Sequence, residues 1–298
     1  MEHHREFSLL FPKGAKAEER VIISRKACKA LMGNYLYHRE MDLCDYLTTD
    51  EETILYRREL FCDLLEHSEA EALLRELLPL LKNMEELYEY VETVGFLPLF
   101  SSRVVGFSLE ELTASTAWFS GQTEDPWEWR SIAATEGKVV YGKFFGKKAG
   151  FISKEWFPYF AAYRRDGYDF DTLYELGMAP RKSMLLMDVL SRQQGVPSYE
   201  LKTEAGFGKD GEKGFEGAIT NLMMQTYVVI DGFERKLNKN GEEYGWPVAK
   251  YATAEAKFGR DMVRSQYKLS KEEALKKILE QMYKLYPDAT EKEIRKEI

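Results

Sequence analysis

Apolar positions recur at helical spacing from residue 51 to about residue 94. Ile54, Leu60, Phe61, Leu64 and Leu65 are followed by Leu73, Leu74, Leu77, Leu78 and Leu81. This pattern predicts a helical segment, kinked or broken at Pro79, whose ring removes a backbone donor. From residue 87 the texture changes, and Gly, Trp and Tyr become frequent. Ser108 and Glu111 have the spacing of a capping box, and Asp125-Pro126 places a cap and a first-turn proline. The run 139–152, interrupted by Gly146 and Gly150, predicts a hairpin. Helices are predicted over 154–165, 169–176 and 181–193.

The stretch 198–252 is the most readable. A short helix begins at Ser198 and ends in the glycine-rich turn 206–211. Phe215, Ile219, Leu222, Met223 and Thr226 then mark one face of an amphipathic helix. Strands are predicted at 227–230 and around 248–251, joined by the turn-rich run 237–241. Helix, turn, helix and hairpin is the order of a winged helix, whose second helix would enter the major groove. Ser270 and Thr290 cap two further helices, predicted to be solvated or docking elements. The expected fold class is α+β. The expected organisation is a helical segment 1–86, a domain 87–265 and a helical tail 266–298.

Composition adds constraints. The 298 residues, 44% hydrophobic, suffice for one large domain or two ordinary ones. No apolar run approaches the ~20 residues of a membrane helix, and Met1 to Glu6 is too charged for a signal peptide. The expected location is therefore the cytoplasm. Cys28, Cys44 and Cys62 are sparse and far apart, as suits small buried residues in a reducing compartment. Every Cys and every His (His3, His4, His38, His67) precedes residue 70. Chemistry after that point excludes a Ser-His-Asp triad, a Cys nucleophile or a His- or Cys-ligated zinc. No metal and no cofactor is expected. The net charge of −8 is concentrated, since residues 51–100 hold twelve acidic against four basic side chains. The balanced remainder leaves room for a basic face.

Several motifs have two readings. Gly206-x-Gly-x-x-Gly211 matches a dinucleotide fingerprint, but the residues before it are polar and helical in character, where that motif needs a strand. Gly137 to Lys143 approaches a P-loop, but Phe144 stands where a Ser or Thr would hold Mg²⁺. Trp118, Trp127, Trp129 and Trp156 are either stacking platforms or core fillers, while Trp246, beside Pro247, is the best candidate for exposure. Arg164 and Arg165 end a helix and either cap it or contact phosphate. Lys143, Lys147 and Lys148 around the first hairpin have the same status. Candidate DNA contacts are Lys209 and Lys213 before the second helix, Gln225 on it, and Arg235, Lys236, Lys239 and Trp246 on the hairpin.

Two resemblances bear on function. The run Met41 to Asp50, followed by Ile54 to Leu65, resembles the start of the helical core domain of MutS-like proteins. Over residues 87–258 the chain resembles the AlkZ-related family. The residues that carry this include Asp125-Pro-Trp-Glu-Trp-Arg130, Tyr141-Gly-Lys-Phe-Phe145, Tyr163-Arg-Arg-Asp-Gly-Tyr168 and Tyr244-Gly-Trp-Pro-Val-Ala249. The resemblance implies a distant likeness to AlkZ DNA glycosylases, which are built from winged-helix units and remove alkylated or crosslinked bases. Those enzymes position water with a Gln-x-Gln motif, and this chain contains none: Gln193 and Gln194 are adjacent and Gln225 stands alone. Glu128, Glu155 and Asp169 are the carboxylates near the aromatic cluster. The expectation is a DNA-binding, DNA-repair-associated winged-helix protein with double-stranded DNA as partner. The alternative is a non-catalytic interaction module that meets a protein partner through the acidic N-terminal helices.

Overall fold

The computed structural model describes residues 81–298, apart from 105, 114–116, 121–124 and 288. The helical segment expected before residue 81, with its cysteines, histidines and likeness to MutS-like core domains, lies outside the described residues. The described part is α+β, with two three-stranded antiparallel sheets surrounded by helices.

Helix α1 (Met84–Val94) starts where the Asn83 side chain accepts the Glu86 N–H, and it buries Leu87, Tyr88, Val91 and Val94. It stops at Gly95, whose φ of 95° suits glycine and whose added Cβ would lie 2.6 Å from the Trp156 ring. Strand β1 (Phe96–Pro98) follows. The Ser108/Glu111 pair is present, but it opens only a 3-10 turn, Glu110–Leu112. Helix α2 (Pro126–Glu136) begins as predicted, with the Asp125 carboxylate accepting the Trp127 N–H. The predicted hairpin is β2 (Val140–Phe145) and β3 (Lys148–Ile152), in a sheet of order β1-β3-β2. Helix α3 (Phe157–Arg165) starts later than predicted, after a turn in which the Ser153 carbonyl accepts from Trp156 and Phe157.

The second sheet grows from α4 (Phe170–Glu175), α5 (Arg181–Arg192), β4 (Val196–Pro197), α6 (Ser198–Glu204), α7 (Phe215–Met224), β5 (Val228–Leu237) and β6 (Glu243–Thr253). Its order is β4-β6-β5. Strands β5 and β6 are much longer than the predicted 227–230 and 248–251. Their distal halves pack against no core, so their sequence carries no two-residue apolar alternation to detect.

Short helices α8 (Ala254–Phe258) and α9 (Arg260–Val263) lead to α10 (Lys271–Leu285) and α11 (Glu291–Glu297), each of the last two opened by a capping box. Helix α10 lies on α3, and Ala274, Ile278 and Met282 are fully buried. The Gln281 amide donates to the Val94 carbonyl at 3.0 Å, and Glu297 accepts the Arg103 N–H at 3.0 Å. The C-terminal helices therefore dock within their own fold. A single continuous core joins both sheets. Phe96 is a hub of it, with ring centroids 5.9 Å from Phe107, 6.4 Å from Phe145, 5.5 Å from Trp156 and 5.0 Å from Phe160.

Candidate nucleic-acid interface

The β5–β6 hairpin is anchored at its base by Val228, Val229, Ile230, Tyr251 and Ala252, all buried. Beyond Glu234 it leaves the core. Cα pairing runs from Val228 opposite Thr253 to Glu234 opposite Val248, then resumes at Lys236 opposite Tyr244. Arg235 thus faces Gly245, Trp246 and Pro247, and the β6 backbone bulges outward there. Gly245 takes a left-handed φ of 74°, and its carbonyl accepts from Arg235 Nη1 at 3.3 Å. Pro247 has no N–H to leave unpaired in the distorted ladder. The bulge projects Trp246 into solvent, 82% exposed. At the tip the Asn238 side chain accepts the N–H groups of Asn240 and Glu242, at 2.8 and 3.0 Å, which fixes the turn carrying Lys239.

Cations and rings alternate along this arm. Arg235 approaches Glu243 at 3.9 Å, and Lys250 approaches Glu234 at 3.7 Å. Lys236 lies over the Tyr199 ring, whose hydroxyl donates to Glu234 at 3.2 Å. Leu237 and Tyr244 are also exposed. Solvated ion pairs of this kind contribute little to stability.

Helix α7 does not present the basic face that entry into a groove needs. It lies between α5 and β2, and the Lys147 N–H donates to Met224 Sδ at 3.3 Å. Its outward residues are Glu216, Gly217 and Asn221. Gln225, expected on this helix, is its half-buried C-cap. The preceding turn closes on itself, with the Glu212 N–H donating to the Gly206 carbonyl at 2.9 Å. A helix, α6, precedes that turn, so the dinucleotide arrangement is absent. Lys213 Nζ is tied down by the carbonyls of Gly208, at 2.6 Å, and Lys209, whereas Lys209 itself is exposed.

The phosphate reading of Arg164 and Arg165 is corrected by their burial. Arg165 donates from Nε to Thr226 Oγ1 at 3.0 Å, from Nη2 to the Thr226 carbonyl at 2.5 Å and from Nη1 to the Tyr267 hydroxyl at 2.9 Å. It also pairs with Glu255. Burial would lower its pKa, but Glu255 and Tyr267 together raise it. Thr226 adopts a left-handed φ of 65°, rare for a β-branched residue, while offering both of its oxygens to this one guanidinium. Arg164 donates to the Phe144 carbonyl at 2.5 Å, and burial pushes its pKa down to about 10. Neither arginine faces solvent phosphate.

Asp169 extends the network. It accepts from Thr172, caps α4 and pairs with Arg264 at 2.8 Å. The Thr172 hydrogen bonds, aided by Arg264, hold its pKa below the ordinary carboxylate value. The stability it confers is therefore complete above the unfolded-state pKa of about 3.9 and is lost as pH falls through the lower native value. Acid unfolding monitored by circular dichroism should lose this component in Asp169→Asn, whose stability would depend less on pH between about 5 and 2.

Of the aromatic cluster, Trp129 is fully buried, and Trp118, Trp127 and Trp156 are half-buried. Glu128 and Glu155 are exposed. Among the described residues no group of His, Cys, Asp and Glu could hold a metal, and no helix is long and apolar enough to cross a membrane.

Residues 81–298 match the family described as AlkZ related. The chain belongs to the AlkZ-related family. No curated protein and no solved structure matches it. The AlkZ-related match starts at 81, not 87, and extends to 298, beyond 258. Both extensions have a physical basis. Leu81 is a core residue whose N–H donates to the Leu112 carbonyl, and Ile278, Met282 and Ile294 complete the core at the other end.

Proposed function

We propose that this AlkZ-related protein binds duplex DNA in a repair-associated role through the β5–β6 hairpin, acting as the wing of a winged-helix unit formed by α5 to β6. The observation that carries this is the bulge at Gly245-Trp246-Pro247. It holds a large ring 82% exposed beside Arg235, Lys236 and Lys239 on a hairpin braced at its base. An exposed ring flanked by cations is the equipment of a side chain that wedges into or stacks on bases while its neighbours hold phosphates. The order helix, strand, helix, turn, helix, strand, strand supports the winged-helix assignment. Glu216 on the outward face of α7 argues that the wing, and not this helix, makes the principal contact.

The family name points to DNA glycosylases, and base excision needs a group that orients water. The chain lacks Gln-x-Gln, Asp169 is committed to Thr172 and Arg264, and Glu128 and Glu155 face solvent. Binding, not base removal, is therefore the function proposed.

Changing Arg235, Lys236 and Lys239 together to Ala should weaken duplex binding regardless of sequence. The log–log salt dependence should flatten by about 0.9 for each phosphate that is no longer neutralised. Trp246→Ala should cost about tenfold or more in affinity, the scale of ring–base stacking. Thermal stability should barely change in either variant, since these side chains are solvated. Fluorescence anisotropy against salt concentration reads both. Unchanged affinity and slope in both variants would sink the DNA reading and favour the protein-interaction module.

A further inference from the structure

Arg130, on the inner face of α2, is a buried cation that forms no ion pair among the described residues. Only 9% of it is exposed. Its guanidinium carbon lies 3.7 Å from the centroid of the Trp127 ring and 4.4 Å from that of Phe233. Nε has no hydrogen-bond partner among the described residues, and no ion pair joins Arg130 to a described carboxylate. Glu128, on the same helix, is exposed. Burial lowers the Arg130 pKa, and Tyr141 and Glu128 offset this only in part.

Arg165 is a guanidinium satisfied within this fold, whereas Arg164 Nη1, like Arg130 Nε, has no partner among the described residues. Arg165 is more deeply buried than Arg130, and its donors meet Glu255, Thr226 and Tyr267. Two ring faces and a hydrogen bond with Tyr141 offset part of the cost of burying Arg130, but neither satisfies Nε, an in-plane donor. A planar fork of donors clamped between two rings is preorganised for an oxyanion, and it matches phosphate geometry.

Beside it lies a shelf of rings. Trp127 is 5.3 Å from Phe119 and 6.3 Å from Phe100, and Phe100 is 5.7 Å from Trp118. Phe119 is 68% exposed and sits at a φ of 58°, a conformation that L residues avoid, with its N–H held by Asp125 Oδ1 at 3.0 Å. The fold thus pins a large ring in solvent against Trp127, whose ring also stacks on a buried guanidinium with one unpaired donor.

We propose that Arg130 and Phe119 form a nucleotide site, with phosphate on the guanidinium and base on the Phe119 ring. The site lies at the foot of the hairpin, since Phe233 belongs to β5, but it stands whether or not the hairpin binds DNA. Thermal unfolding of the full chain at matched ionic strength tests it, with deoxyadenosine monophosphate, inorganic phosphate and deoxyadenosine as probes. The monophosphate should raise Tm by roughly 5 °C or more at a hundredfold excess over Kd. Phosphate should act more weakly at equal concentration, and the nucleoside least. Arg130→Met should abolish the shift by both phosphate-bearing probes. Phe119→Ala should reduce the monophosphate to the level of phosphate, and this exposed position keeps the test open if Arg130→Met does not fold. A short single-stranded oligonucleotide that competes with the monophosphate assigns the site to nucleotides in a strand. Without competition it takes free nucleotides, and either result upholds it. No shift with either phosphate-bearing probe, a shift retained in Arg130→Met, or a monophosphate no better than phosphate in the unmodified chain overturns the proposal.

Discussion

Arg165→Met should lower folding stability by about 3–5 kcal/mol, the range for breaking a buried ion pair from one side. The substitution keeps the apolar stem between α3 and Tyr227 but removes every donor. Glu255 then keeps only Arg264, at 3.4 Å, and the Thr226 carbonyl and Tyr267 hydroxyl lose their partner. A strained Thr226 would also no longer be held in its left-handed conformation. The contrast is Arg192, paired with Asp188 at 3.0 Å on the surface of α5. Removing that partner should cost at most about 1 kcal/mol, because both side chains are largely solvated. Urea denaturation of the two variants makes the comparison. Equal costs would mean that burial of the Arg165 network contributes nothing to stability.

Ending the chain after Leu269 should abolish cooperative unfolding. The deletion strips Ala274, Ile278, Met282, Tyr286 and Ile294 from the core and uncovers the outward face of α3. Full burial of an apolar side chain such as Ile278 or Met282 contributes about 1.5–3 kcal/mol. Losing Ile278, Met282, Tyr286 and Ile294 alone removes an amount comparable with the ~5–15 kcal/mol that stabilises a whole domain. Calorimetry of residues 1–269 would show this as the absence of a transition. A sharp melt close to that of the complete chain would make the C-terminal helices peripheral.

What could be read in advance followed the range of the interactions involved. Caps are local, so Asp125, Ser270 and Thr290 marked their helices correctly. The order of elements from Ser198 to Thr253 was legible because Gly206 to Gly214 separates two amphipathic stretches. Exposure of Trp246 followed from its neighbour Pro247. For Arg165 capping and phosphate contact both stood, because its partners Glu255 and Tyr267 lie 90 and 102 residues away and appear only once α8 folds back against α3. The C-terminal helices read as either solvated or docking because most of their residues are charged, and the few apolar positions of α10 that dock lie on a narrow stripe that α3 covers. Arg130 had half a local signal. Trp127 lies one turn earlier on the same helix, at the spacing that stacks side chains, but Phe233 arrives from a distant strand.

The bulge that lifts Trp246 also governs how the sheet meets other copies of itself. Strand β4 pairs with β6 only at Tyr251 and Lys250, so from Glu243 to Ala249 the outer edge of β6 offers unpaired backbone groups to any extended chain. A regular ladder there would be a template for edge-to-edge association. Gly245 turns the backbone out of plane, Pro247 removes a donor, and Glu243 and Lys250 place charge at both ends of the gap. The residues that present a sticky ring to solvent therefore also cap the edge against aggregation, so that the hairpin remains exposed without recruiting further strands.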